Sequence, residues 1–138
     1  MNLTNFRFET DADGVALVAW DMPGRSMNVI NAEIVGELGQ ITDKIASDTA
    51  IKGAVFTSGK EGFAAGADLT MLETAGKEYA RRAKAEGEEA AMRAFVDGTK
   101  QLSLVYRRLE TCGKPVVCGM PVSGDGHAVT IPLQYGWL

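Results

Sequence analysis

The chain has 138 residues, of which 46% are hydrophobic and 23% are charged, and its formal net charge is −4. That length fits one globular domain, and the acidic balance argues against a nucleic-acid partner, which would select clustered Lys and Arg. No apolar run approaches the roughly 18 residues that a membrane-spanning helix needs, so we expect no membrane partner.

The cysteines and the start of the chain bear on metals and compartment. Cys112 and Cys118 have neither a second cysteine nor a histidine at metal-ligand spacing, so we predict free thiols and no metal site. The N-terminal sequence MNLTNFRFET lacks the basic-then-apolar order of a targeting segment. These features predict a cytoplasmic protein in a reducing compartment.

The first part of the chain alternates strand and helix patterns. Phe6 and Phe8 alternate with polar residues and predict a short, half-exposed strand. The nearly all-apolar GVALVAWDM predicts a second strand that is covered on both faces. Asn31 can cap a helix that carries an apolar stripe of Ile34, Leu38, Ile41 and Ile45. Residues 51–58 predict a buried strand, and the strand–helix–strand order predicts a right-handed crossover with parallel pairing in an α/β fold.

A long helical region is predicted from about Lys77 to Thr111. Its first part, KEYARRAKAEGEE, mixes both signs of charge and is typical of an exposed helix face. Gly87 and Gly98 each weaken the helix by about 1 kcal/mol relative to alanine, so it can break near either. The second part has one apolar face made of Met92, Phe95, Val96, Leu102, Val105 and Leu109. The sequence GKPVVC then predicts a third buried strand.

The stretch GFAAGADL, residues 62–69, places small residues directly after a predicted strand. Gly and Ala leave backbone N–H groups open to another molecule, and α/β proteins bind ligands at the carboxyl ends of parallel strands. A helix that starts near Asp68 would also direct its N-terminal N–H groups toward a developing negative charge. A tight strand-to-helix connection explains the same residues, so the loop alone leaves both interpretations open.

The wider context of this loop resembles the crotonase superfamily, the enoyl-CoA hydratase/isomerase family. The resemblance is carried by FAAGADL after AVFTSGKEG, with MPGRSMNVIN upstream and GKPVV downstream, and it covers residues 6–118. The helical segment TMLETAGKEYARRAKAEGEEAAMRAF is most similar to the hydratase part of multifunctional fatty-acid oxidation proteins. The resemblance implies that the chain forms the N-terminal portion of a crotonase-like spiral of ββα units, with a long helical insertion.

The resemblance also implies a ligand and a set of site residues. The family binds acyl-CoA or enoyl-CoA thioesters, with coenzyme A as part of the substrate and no separate cofactor. The backbone N–H of Ala67 matches one of the two amides of the family's oxyanion hole. The residues implied to line the coenzyme A site are Arg25, Ser26, Met27, Ala65, Gly66, Asp68 and Leu69. Arg25 faces either a coenzyme A phosphate or solvent, and family trimers imply a homo-oligomer.

The resemblance fails after Cys118. The family pattern that follows the KPVV strand is roughly A-I-N-G-x-x-x-G-G-G-x-E. Laid from Gly119 without gaps, it puts His127 at the second oxyanion glycine and Thr130 at the glutamate, and no glutamate follows Glu110. Hydration needs a base to activate water and an acid to protonate carbon. Because threonine is neither at ordinary pH, we predict that these 138 residues alone lack hydratase activity.

We therefore divide the chain into a crotonase-like portion, residues 1–118, and a divergent tail, residues 119–138, for which disorder and a shifted reading frame are both hypotheses. The last predicted strand would be left with an unpaired edge. A triad of Ser123, Asp125 and His127 is disfavoured, since residues so close along the chain rarely reach triad geometry.

Three interpretations of the whole chain stay open. The first is a truncated, catalytically incomplete enoyl-CoA hydratase/isomerase of fatty-acid β-oxidation. The second is a non-catalytic acyl-CoA-binding or assembly module of a larger crotonase-type complex. The third is a non-functional product that aggregates through its exposed core.

Overall fold

The computed structural model describes residues 1–121 and 128–132. Its strands are β1 (Phe6–Thr10), β2 (Val15–Trp20), β3 (Gly53–Ser58), β4 (Val116–Pro121) and β5 (Ala128–Pro132). Its helices are α1 (Ala32–Ser47), α2 (Leu69–Glu86) and α3 (Glu88–Glu110). Within these residues the strands form one sheet in the order β1-β2-β3-β4-β5.

The sheet has a parallel centre and antiparallel edges. β2 pairs with β3 and β3 with β4 in parallel, whereas β1 pairs with β2 and β4 with β5 in antiparallel fashion. The α/β fold and the parallel pairing across α1 are confirmed. The predicted unpaired edge on the last strand is wrong, because β5 pairs along β4 from Val117 to Pro121.

Helix α1 supplies the largest part of the core. Asn31 caps it as predicted, since its Oδ1 accepts a hydrogen bond from the Ile34 N–H at 2.9 Å. The predicted apolar stripe is buried against Ala16, Val18 and Phe56 of the sheet, and consists of Ile34, Leu38, Ile41 and Ile45. This packing fixes the direction in which the chain enters and leaves the parallel strands.

The far end of α1 is closed by a lysine from a distant part of the chain. Lys114 Nζ donates to the carbonyl oxygens of Ile45 and Asp48, both at 2.5 Å. Carbonyls at a helix C-terminus have no partner within the helix, and a cation there also meets the negative end of the helix dipole. Lys114 thus ties the segment before β4 to α1.

Strand β2 is not covered on both faces, which corrects the sequence-based prediction. Ala16 and Val18 point into the core, whereas Leu17 points to the other side and is 45% exposed. Successive side chains of a strand alternate between faces, so a continuous apolar run does not by itself mean two covered faces. Among the described residues, nothing covers Leu17.

The long helical region is a pair of helices. α2 begins at Leu69, earlier than the predicted Lys77, and the chain breaks at Gly87, one of the two predicted positions. Gly87 has φ +91°, a backbone conformation that favours glycine. α2 and α3 pack on each other, with the rings of Tyr79 and Phe95 edge to face at 6.0 Å.

The apolar face of α3 is buried only toward its C-terminal end. Val105 and Leu109 join the core, and Leu102 packs against it, whereas Met92, Phe95 and Val96 are exposed. The sequence predicted an apolar face here without saying what covers it, and the structure buries that face only at its C-terminal end. The charged segment of α2 is exposed as predicted, with no buried residue in that helix.

Both cysteines are free thiols, as predicted. Cys118 is buried in the core, and burial raises the pKa of its thiol to about 11. At neutral pH it is protonated, so it serves as an apolar core residue.

A matched pair of substitutions on α3 tests how far the core extends. Leu109, 2% exposed, and Leu104, 47% exposed, lie on the same helix. We expect Leu109→Ala to lower the free energy of unfolding by about 2–5 kcal/mol, because it leaves a cavity. Leu104→Ala should change it by no more than about 0.5 kcal/mol. Urea unfolding followed by circular dichroism measures both, and equal losses would contradict the described packing of α3.

Candidate functional site

The loop between β3 and α2 is held by Ser58 at the end of β3. The Ser58 Oγ accepts a hydrogen bond from the Lys60 N–H at 3.0 Å and donates to the Gly62 carbonyl at 2.7 Å. The Gly59 N–H donates to the Trp20 carbonyl at 2.9 Å, which ties the start of the loop to the end of β2. The small-residue loop is therefore anchored at the carboxyl ends of two parallel strands.

Asp21 adds an ionic anchor to the same loop. Its carboxylate accepts from Lys60 Nζ at 2.7 Å and from Arg7 Nη1 at 2.8 Å. The hydrogen bond from Lys60 is the main cause that holds the pKa of Asp21 below its ordinary value. A side chain at position 59 would meet the Asp21 carboxyl at about 2.6 Å, so Gly59 leaves the space that this contact needs.

The second half of the loop runs beside residues 28–30 like a short parallel strand. The Ala65 N–H donates to the Asn28 carbonyl, the Ile30 N–H to the Gly66 carbonyl, and the Asp68 N–H to the Ile30 carbonyl, each at 2.8 Å. Ile30 and Ala67 form a parallel bridge in which Ile30 uses both of its backbone groups. The N–H and carbonyl of Ala67 itself therefore point to the opposite side.

Ala67 is exposed, and no acceptor within residues 1–121 and 128–132 meets its N–H. Gly66, just before it, has φ +103°, which a residue with a side chain adopts only with strain. The glycine of the FAAGADL motif thus sets the turn that leaves the next amide free. This geometry favours the ligand-facing interpretation of the loop over a simple tight connection.

Asp68 is buried and links the loop to the start of α2. Its Oδ1 accepts from the Thr70 N–H at 2.8 Å and caps the helix, while Oδ2 pairs with Arg25 Nη1 at 3.1 Å. The pKa of Asp68 lies below its ordinary value, mainly because of the backbone hydrogen bond from Thr70, with Arg25 contributing and burial opposing. Both oxygens of Asp68 therefore have partners within the chain.

The predicted site residues fall into two groups. Ala65, Gly66 and Ala67 lie in the ladder, the backbone hydrogen bonds between residues 65–68 and 28–30, and Asp68 ends the ladder and caps α2. Arg25 reaches this group through Asp68, so the structure brings the loop of residues 22–27 to the start of α2. Ser26, Met27 and Leu69 are exposed, Leu69 at 80%, and among the described residues no side-chain hydrogen bond joins them to residues 65–68.

Asn28 was missed in the sequence analysis, although it is fully buried. Its side-chain amide makes hydrogen bonds to four groups, on Trp20, Met22, Ser58 and Phe63. A lone asparagine between Met27 and Val29 was the available signal, because an amide surrounded by apolar residues is usually buried with its partners satisfied. Its position beside the small-residue loop was not visible from the sequence.

A tryptophan near the loop and the predicted C-terminal residues complete the description of this region. Trp20 Nε1 is the one buried side-chain polar atom in the described part of the chain without a hydrogen-bond partner, and its ring contacts Phe63 of the loop edge to face at 6.0 Å. Ser123, Asp125 and His127 lie outside the described residues. Thr130 lies on β5, where its backbone pairs with Gly119. The proposed boundary at residue 118 stays a prediction.

The family model of enoyl-CoA hydratase/isomerase matches residues 10–128. The chain belongs to this family. A fatty acid oxidation complex subunit alpha from Shewanella baltica is 34% identical over 109 residues, which are 78% of this chain and 14% of that protein. A subunit of the same name from Idiomarina loihiensis is 44% identical over 69 residues, covering 49% of this chain and 10% of that protein.

Solved structures confirm the crotonase-like fold. A crotonase-type enoyl-CoA hydratase/isomerase structure from Legionella pneumophila matches with a TM-score of 0.66 and 19% identity, over 86% of this chain and 40% of that one. An enoyl-CoA hydratase from Shewanella pealeana matches with a TM-score of 0.65 and 18% identity, over 83% of this chain and 38% of that one. The chain spans about 40% of the length of such structures, so it corresponds to a portion of the ββα spiral.

No helix within the described ranges is both long enough and apolar enough to cross a membrane.

The Arg25–Asp68–Thr70 arrangement predicts a pH-dependent contribution to stability. The pKa of Asp68 is lowered by folding, so its contribution is complete above the ordinary value of 3.8 and is lost as the pH falls through the lower folded pKa. Asp68→Asn should therefore be less stable than the unmodified chain at neutral pH, with a difference that shrinks under acid conditions. Urea unfolding across this pH range measures it.

Asp97→Asn is the control, because Asp97 is an exposed helix carboxylate paired only with Lys100 nearby. Its effect should be smaller at every pH, as exposed pairs contribute little. A difference for Asp68→Asn that stays constant down to the acid limit would mean that the charge of Asp68 is not responsible.

Proposed function

We propose that this chain binds acyl-CoA thioesters and that the N–H of Ala67 donates a hydrogen bond to the thioester carbonyl oxygen. The observation that carries the proposal is the N–H of the exposed residue Ala67, which meets no acceptor among the described residues and lies beside the N-terminus of α2. Family membership supports the ligand class. A hydrogen-bond donor aimed at the place where negative charge develops is what an enolate-forming site needs.

The start of α2 adds to the electrostatics of this site. Helix N-termini carry a partial positive charge, which favours a carbonyl oxygen that gains negative charge. Asp68 caps the helix, but its charge is directed toward Thr70 and Arg25. Arg25 stays half-exposed while paired with Asp68, so it can meet a coenzyme A phosphate at the surface. Ser26, Met27 and Leu69 are exposed and would line the same channel.

We also propose that these 138 residues do not hydrate enoyl-CoA by themselves. Hydration needs two groups that move protons, and no glutamate follows Glu110 in the sequence. The function that these residues support best is therefore binding of the thioester, as in a fatty-acid β-oxidation protein of this family, without the acid and base that hydration needs.

An assembly module of a larger crotonase-type complex is the second candidate. It is favoured by the open face of the sheet, where Leu17, Val15 and Val55 border a depression of about 350 Å³. The fatty acid oxidation relatives carry the name of a subunit of a complex. In this candidate the sheet face would meet another protein, and acyl-CoA binding would be secondary.

Calorimetry and an activity assay on the 138-residue chain test the first candidate. We expect heat of binding with butyryl-CoA and no hydration of crotonyl-CoA above background. Turnover would show that a proton donor and acceptor are present after all, and an absence of binding would remove the thioester proposal. Light scattering on the same sample gives its mass, and self-association of the chain would favour the assembly candidate.

The hydrogen bond from Ala67 is tested with Ala67→Pro, which removes the N–H without adding a polar group. The probes are butyryl-CoA and its thioether analogue S-butyl-CoA, which lacks the carbonyl. We expect the unmodified chain to prefer the thioester by about three- to tenfold, as one net hydrogen bond predicts. Ala67→Pro should bind both probes equally.

Ala64→Pro is the matched control, because Ala64 is another exposed alanine of the same loop. It should keep the preference for the thioester. If both proline variants lose the preference together, general distortion of the loop is responsible, and the assignment of Ala67 fails.

A further inference from the structure

We propose that Asn28 is the positioning residue of the thioester site: its buried side-chain amide holds the 59–67 loop in the shape that keeps the Ala67 N–H free. This inference rests on the proposed function, since it concerns how that same amide is placed. Asn28 does not itself contact the ligand position, because it is fully buried.

The side chain of Asn28 connects three separate segments. Its Nδ2 donates to the Trp20 carbonyl at 2.9 Å, to the Ser58 Oγ at 3.1 Å and to the Phe63 carbonyl at 3.1 Å. Its Oδ1 accepts from the Met22 N–H at 3.1 Å. An amide NH₂ carries two protons, so three acceptors around it share them, and the amide is fully engaged.

The backbone of Asn28 continues the same connection into the loop. Its carbonyl accepts the Ala65 N–H at 2.8 Å, which is the first rung of the ladder that ends at Asp68. The side chain thus holds the loop at Phe63, and the main chain holds it two residues later. Together with the bond from the Asp68 N–H to the Ile30 carbonyl, these bonds fix the direction of the Ala67 N–H.

Loss of this side chain has a specific consequence. The Phe63 carbonyl and the Met22 N–H would lose their buried partner, and such groups are costly to leave unsatisfied, whereas the Trp20 carbonyl would keep the Gly59 N–H. Restoring partners requires the loop to move toward water. The Ala67 N–H would then lose its fixed direction, although the core of α1 and the sheet, which Asn28 does not fill, would remain packed.

The test compares Asn28→Ala with two other variants of the full 138-residue chain. Ser58→Ala removes a partner of the Asn28 amide and the Ser58 bonds to Lys60 and Gly62, and it keeps the test informative if Asn28→Ala does not fold. Thr42→Ala is the control for a lost buried hydrogen bond elsewhere, because the Thr42 Oγ1 donates to the Leu38 carbonyl on α1.

The readout is the ratio of affinities for butyryl-CoA and S-butyl-CoA, with the infrared stretch of the bound thioester carbonyl as a second signature. We expect Asn28→Ala and Ser58→Ala to lose the roughly three- to tenfold preference for the thioester. The carbonyl stretch should return toward its frequency in water-free solvent. Thr42→Ala should keep both signatures even where its stability falls.

The outcomes separate this inference from the function on which it rests. If the unmodified chain binds neither probe or binds both equally, the proposed thioester contact fails, and the inference fails with it. If the unmodified chain prefers the thioester and both Asn28→Ala and Ser58→Ala keep that preference, only the positioning role is overturned. Equal loss in Thr42→Ala would also overturn it, since the effect would follow stability alone.

Discussion

The shape of the small-residue loop depends on the hydrogen bonds that converge on Asn28. A loop of small residues has few side chains with which to hold itself, so its shape must come from its backbone partners. Those partners are the carbonyl and side chain of Asn28, the backbone of Ile30, and the hydroxyl of Ser58. Without them the glycines and alanines of the loop would not hold a single backbone conformation.

The same arrangement engages two aspartates near the loop in ion pairs and hydrogen bonds. Asp21 pairs with both Arg7 and Lys60, and Asp68 is engaged by the helix cap and by Arg25. These two aspartates are thus engaged in holding the loop, whereas Glu61 lies in the loop itself and is exposed. Under the proposed function the loop would receive a carbonyl oxygen, whereas proton transfer would require groups that these two engaged aspartates do not provide.

The sequence predicted the elements whose signals are local. The stripe of α1, its cap at Asn31, and the break at Gly87 follow from period, capping chemistry and the conformational freedom of glycine, and all three are confirmed. The family resemblance located the loop and the residues around Ala67. The burial of Leu17 was predicted wrongly, because burial depends on what packs against a face, and an apolar pattern does not say what that is.

Asn28 illustrates the part of a site that sequence patterns cannot supply. Its side-chain bonds reach Phe63, which is 35 positions away along the chain, so no local rule connects them. The pairing of Arg25 with Asp68 is of the same kind, and it joins two segments that the resemblance named only separately. Such contacts follow from the fold that brings the segments together.

The hydrogen bonds from Lys114 to the end of α1 can form only late in synthesis, after residue 114 has been made. The carbonyls of Ile45 and Asp48 are made 69 and 66 residues before the lysine that satisfies them. Until Lys114 has left the ribosome, these carbonyls lack its ammonium group, although the Asp48 carbonyl already accepts the Ile51 N–H, and β3 lacks the parallel neighbour that follows this lysine. The N-terminal segment therefore matures late, when its own C-terminal partner arrives.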